Sequence, residues 1–210
     1  MRQDAKAQIM KLNRLKIAVL VIIASAAPAL AGELGNVNVR NCTWCHGPSA
    51  QGYLPAPRLA GQKYQYLVNQ LRSFRAHGRD NPFSRMYMWP SAANVGPYAA
   101  RYLASYLSKL SPKAADDGNR ELVTRGRAIY QVGVPDSNIV ACVACHGPRA
   151  QGFAEIPRLG GLSYTYLQER LEQWHEGYDA AAMHPMPHVS SKLSPDQIAA
   201  LASYLSFIAR

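Results

Sequence analysis

Cys42-Thr-Trp-Cys45-His46 recurs as Cys142-Val-Ala-Cys145-His146, 100 residues further on, and the two copies hold all 4 cysteines of the 210-residue chain. A chain built this way must fold around two sites of one design. Cysteines three residues apart sit on a single helical turn, where both thiols can add to the two vinyl groups of one porphyrin. The histidine beside the second thiol then stands over the iron as axial ligand. Haem c is therefore expected on Cys42 and Cys45 and again on Cys142 and Cys145, with His46 and His146 bound to iron. Two C-x-x-C pairs can also close one tetrahedral zinc site, and four cysteines can form disulfides. Neither alternative accounts for the histidine directly after each pair, or for the Gly-Pro that follows it.

The repeat is wider than the motif. Residues 41–74 set on 141–174 without a gap give 16 identities in 34 positions, including C-x-x-C-H-G-P-x-A-Q-G, P-R-L-x-G and Y-x-Y-L. Two copies of one domain follow, each with its own core, because the period is too long for a solenoid. Helical spacing puts Tyr64, Leu67, Leu71 and Phe74 on one face, and Tyr164, Leu167, Leu171 and Trp174 on its counterpart. Ser194-Pro195-Asp196-Gln197 reads as an N-cap, a proline at the first helical position and a capping-box glutamine; the equivalent helix opens at Gly96-Pro97. Arg120 to Gln131 reads as a further helix, with only a short turn or two over Glu33 to Arg40. No period-2 alternation competes, so the expected fold is all-α. The expected domains are 32–110 and 120–210, joined by a linker over 111–119 rich in Pro, Asp and Gly.

The chain opens with a signal for export. Lys11, Arg14 and Lys16 precede an apolar run from Ile17 to Ala27, and Ala29-Leu30-Ala31 supplies small residues for cleavage. Cleavage after Ala31 and a periplasmic destination are expected, with translation starting at Met10 rather than Met1. Export suits haem attachment, which takes place outside the cytoplasm. Without the leader the net charge is +6, and four haem propionates bring it to about +2, so the basic pI is no nucleic-acid signature. The distribution says more: residues 32–114 carry 10 basic and 2 acidic side chains, residues 115–210 carry 8 and 10. A basic first half suits an acidic docking partner.

The duplication also selects a sixth ligand. With the last helices in register, Met88 falls opposite Met186, whereas Met86 and Met183 do not coincide. A thioether favours ferrous iron and closes the sphere to oxygen or peroxide, so the chain is expected to pass electrons and not to be an enzyme. His184 and His188 flank Met186 but have no counterparts in the first half, and read as surface residues. Ligand histidines usually donate their second ring N–H to an acceptor; Pro57 and Pro157, each 11 residues beyond the histidine, offer carbonyls with no competing N–H. Arg58 and Arg158 read either as screens for propionates or as solvated arginines.

Together these residues resemble the two-haem cytochrome c4 family, over the whole of the chain after the leader. The shared features are C-x-x-C-H-G, P-x-L-A-G-Q at Pro57 to Gln62 (loosened at Pro157 to Leu162), Y-L-x(3)-L and a methionine ahead of the final helix. The first copy departs from the family's Leu-Ser-Asp helix start with Val95-Gly96-Pro97, and Tyr-Met-Trp-Pro surrounds its methionine. The resemblance implies two class I cytochrome c domains related by pseudo-twofold symmetry. It also implies a carrier, often associated with the periplasmic face of the inner membrane, moving electrons from a respiratory donor to a terminal haem-copper oxidase. Similar two-haem proteins serve as electron-accepting subunits of dehydrogenases such as flavocytochrome sulfide dehydrogenase, which is the alternative role.

Overall fold

The computed structural model describes residues 38–179 and 185–208. The expected leader and its cleavage site, Met183 and His184 lie outside the described residues. The described chain is helical, with three isolated bridges and no strand (Tyr53 with Ala56, Val134 with Ile139, Phe153 with Ile156). The first half runs α1 (Val39–His46), α2 (Tyr64–Arg75), a π turn over Ser84–Met88 continuing into α3 (Trp89–Ala92), and α4 (Pro97–Lys109). The second runs α5 (Val123–Val132), α6 (Val143–His146), α7 (Tyr164–His175), α8 (Met186–Ser190) and α9 (Pro195–Ser206).

Each half closes its core by laying its last helix on the helix that follows the P-R-L turn. In the first, Leu67 and Phe74 of α2 meet the buried face of α4, namely Ala99, Ala100, Leu103, Ala104 and Leu107. In the second, Leu167 and Leu171 of α7 pack with Ile198, Leu201 and Leu205 of α9. The Ser194 hydroxyl accepts the Gln197 amide at 3.3 Å and the Gln197 side chain accepts the Ser194 amide at 2.9 Å, so the capping box starts α9. The second half adds α5 across α9. Gly126 makes that crossing possible: a Cβ there would stand 2.0 Å from the Ala200 carbonyl oxygen. Tyr130, fully buried, packs its ring 5.5 Å from that of Tyr204 one turn further along.

The stretch between the halves has no helix but is held at almost every residue. Gln51 receives the Lys113 amide at 3.0 Å and donates to the Ser111 carbonyl at 2.9 Å. Asp116 N–H donates to the Ser206 carbonyl at 3.1 Å, and the amides of Gly118 and Asn119 donate to the hydroxyls of Ser206 and Ser203. Arg58 contradicts the solvated-arginine reading. It is buried, and its guanidinium donates to the carbonyls of Gly160 at 2.8 Å, Gly161 at 2.5 Å and Lys113. Burial, with Arg158 nearby, pulls its pKa down to about 10, so it stays charged at neutral pH.

Candidate haem sites

The two sites are assembled by the same hydrogen bonds. Helix α1 carries Cys42, Cys45 and His46 within one turn, and the Cys142–His146 turn is closed by the His146 amide on the Cys142 carbonyl at 2.9 Å. Each helix stops at a glycine, Gly47 at φ 77° and Gly147 at φ 79°, a conformation open to glycine at little cost. The chain then doubles back. Gly52 N–H donates to the His46 carbonyl at 2.7 Å and Gly152 N–H to that of His146 at 2.9 Å. Leu59 and Ala60 donate to the Ala50 carbonyl as Leu159 and Gly160 donate to that of Ala150. The loops are thereby pinned so that residues 57 and 157 face the histidines.

His46 Nδ1 lies 2.6 Å from the Pro57 carbonyl oxygen, and His146 Nδ1 lies 3.0 Å from that of Pro157. A carbonyl can only accept, so Nδ1 carries the proton and the lone pair of Nε2 is left for another partner. Burial lowers both histidine pKa values, opposed in part by these bonds, and keeps the imidazoles neutral as metal ligands must be. The four cysteines are free thiols: Cys42 and Cys142 half-buried, Cys45 and Cys145 exposed. Burial and the neighbouring Cys45 push the Cys42 thiol up, and burial pushes Cys142 to about 11. The pairs remain apart, and the described residues contain no cluster of three or more His, Cys, Asp or Glu side chains fit to hold one metal ion. That arrangement does not suit a shared zinc. It suits two porphyrins, each with two thiols and a preset imidazole.

Met88 ends the π turn and is half-buried, whereas Met86, two residues earlier, is 66% exposed. Trp89 anchors this segment in a way the sequence did not announce. Its indole N–H donates to the Arg79 carbonyl at 2.8 Å and its ring stacks on His77 at 4.0 Å. Asn81, buried, accepts the Ser84 amide at 3.1 Å and starts the turn. Met186 opens α8 and is also half-buried; the Ser190 hydroxyl donates to its carbonyl at 2.6 Å. Pro97 and Pro195, which open the last helices, each follow their methionine by 9 residues. His188 is exposed.

A polar cluster joins the halves. Arg79 donates to Gln70 at 2.9 Å and to the Tyr166 hydroxyl at 3.4 Å, and Arg170 pairs with Asp179. Residue 70 is equivalent to 170, and each pairs with the residue nine positions further on, Gln70 with Arg79 in one copy and Arg170 with Asp179 in the other. Asp80 N–H donates to Asp179 Oδ1 at 2.6 Å and Asp179 N–H to Asp80 Oδ1 at 3.0 Å. Gln62 binds both backbone groups of Arg158, at 2.7 and 2.9 Å. Tyr66 and its equivalent Tyr166 meet in the same cluster, and burial with Tyr166 alongside pushes Tyr66 up to about 12.

The profile of the cytochrome c family matches residues 34–111 and again 123–208. Cytochrome c-552 of Acidithiobacillus ferridurans is 30% identical over 195 residues, spanning 90% of this chain and 84% of its own. The thiosulfate dehydrogenase electron acceptor of Thiomonas intermedia is 34% identical over 199 residues, 91% of this chain and 89% of its own. The solved structure of cytochrome c4 from Acidithiobacillus ferrooxidans superposes with a TM-score of 0.74 at 31% identity, over 80% of this chain and 98% of that one.

Proposed function

This chain belongs to the cytochrome c family as a tandem member with two covalent haems, and we propose that it shuttles single electrons in the periplasm, from a respiratory donor to a terminal haem-copper oxidase. The observation that carries this reading is the pair of identically built histidines, His46 on Pro57 and His146 on Pro157. Each haem, when bound, supplies an iron that gains and loses one electron. Everything else is the work of the chain. Cys42 with Cys45, and Cys142 with Cys145, hold the two porphyrins. The Pro57 and Pro157 carbonyls fix the imidazole tautomer and ring orientation, which raises ligand basicity.

Met88 and Met186 are the sixth ligands in this proposal. Together with His46 and His146 they would hold the two irons and leave no ligand position for a substrate, so the chain's part would be electron transfer rather than bond chemistry. A thioether opposite histidine also raises the potential. Domain boundaries at 32–110 and 120–210, with 111–119 between, fit a linker that both halves hold by hydrogen bonds. Among the described residues no helix is long and apolar enough to cross a membrane. Redox titration of the native protein followed by visible spectra tests the reading: two c-type haems with the methionine-to-ferric-iron charge-transfer band are expected. An open or bis-histidine site in the native protein overturns it.

The second reading has its own support. A dehydrogenase replaces the respiratory donor, as the name of the Thiomonas relative, a thiosulfate dehydrogenase electron acceptor, suggests. Co-purification with a tightly bound dehydrogenase, flavoprotein or otherwise, selects this reading; isolation as a free cytochrome selects the first.

A further inference from the structure

The two C-x-x-C-H turns differ in what they show to solvent. In α1 the residue between the cysteines and next to Cys45 is Trp44, 89% exposed, where the second copy has Ala144. Trp44 lies two residues before His46, hence about 200° around the helix from it. His46 is buried, so Trp44 points away from the ligand side and out of the molecule. Arg40, exposed and four residues earlier, shares its helix face.

The turn beside α1 extends the patch. The Gly52–His46 hydrogen bond returns the chain to the end of α1, and the next two residues are Tyr53, 74% exposed, and Leu54, 53% exposed. The second copy reads Phe153-Ala154-Glu155 where the first reads Tyr53-Leu54-Pro55. The first copy thus adds apolar bulk at two positions and lacks the carboxylate. Residues 38–114 carry 10 basic side chains, of which Arg58 is buried in the joint, and one acid, Asp80, which is occupied by the Asp179 amide and Arg85.

An exposed tryptophan beside a tyrosine, in a half of one charge sign, is the composition of an interface hot spot and not of idle surface. We infer that Trp44, Tyr53 and Leu54, with Arg40 at their edge, form the docking face for a redox protein whose electron port is apolar and rimmed by Asp and Glu. The inference rests on the carrier reading above and adds to it which half docks and through which side chains. Aromatic anchors desolvate against the partner while the basic surround steers the encounter.

The test is oxidation of the reduced holoprotein by detergent-solubilised bacterial membranes prepared to hold an active haem-copper oxidase, over a salt series. Trp44→Ser is expected to raise KM about tenfold, with kcat, visible spectrum and both midpoint potentials unchanged. Arg40→Glu is expected to raise KM further at low salt and flatten its salt dependence. Phe153→Ser, the control in the second copy, stays within about twofold of wild type. If the wild type turns over and Trp44→Ser leaves KM unchanged, or Phe153→Ser matches its effect, the docking face is wrong. If the wild type itself is not oxidised, the oxidase reading falls and the docking face with it. A wild type that sediments as a dimer, with Trp44→Ser a monomer, gives the patch to a second copy of this chain and also overturns the proposal.

Discussion

A proline carbonyl decides the chemistry of each histidine here, because it fixes which nitrogen keeps its proton. The spacing that singled out Pro57 and Pro157 was readable, since proline offers a carbonyl without an N–H. Arg58 was not readable, because its partners at Gly160 and Gly161 lie about a hundred residues away and are backbone atoms that leave no mark in the sequence. Trp89 was hidden similarly: its stacking on His77 and bond to Arg79 depend on a π turn that no periodicity encodes. At this scale the proposed ligands make a sharp prediction. Met88→Ala removes the charge-transfer band of the first haem and lowers its midpoint potential, whereas Met86→Ala, altering an exposed side chain, changes neither. Redox titration with near-infrared or visible spectra reads both variants.

Helices were the most legible elements, and their ends were legible wherever a cap marked them. Ser194 and Gln197 announce α9, and Gly96-Pro97 announces α4. The turn from Ser84 to Ala92 was opaque because it is held by Asn81 and Trp89 and not by an apolar stripe. Ser194→Ala is expected to cost about 1 kcal/mol, measured by denaturant unfolding of the holoprotein. Gly126→Ala is expected to cost more, about 1–3 kcal/mol, because its methyl would meet the Ala200 carbonyl at 2.0 Å and force α5 away from α9. A Gly126→Ala protein as stable as wild type would show that the two helices separate freely.

Over the whole molecule, the charge asymmetry and the duplication were legible; the joint between the halves was not, because its pairs combine residues 87 to 103 positions apart. Asp179 is the centre of that joint. Burial alone would raise its pKa, but Arg170 and the Asp80 amide outweigh burial and hold it below the ordinary carboxylate range. A carboxyl depressed in the folded state contributes stability that is fully present above its unfolded value of about 3.9 and is lost as pH falls through the lower folded value. Asp179→Asn is expected to cost about 3–5 kcal/mol at neutral pH by stranding Arg170, and to flatten the loss of stability below about pH 4. Thermal melts of wild type and variant across that range check both the size and the sign.

The joint reaches beyond stability in how it divides its labour between the halves. Asp80 and Asp179 each lend a main-chain N–H to the other's carboxylate, an exchange that treats both halves alike. The charges do not follow that symmetry: Arg170 stands against Asp179 where its first-half counterpart, Gln70, is neutral and receives Arg79 instead. One joint therefore keeps the backbone pattern of a duplicated pair while its side chains already tell the two copies apart.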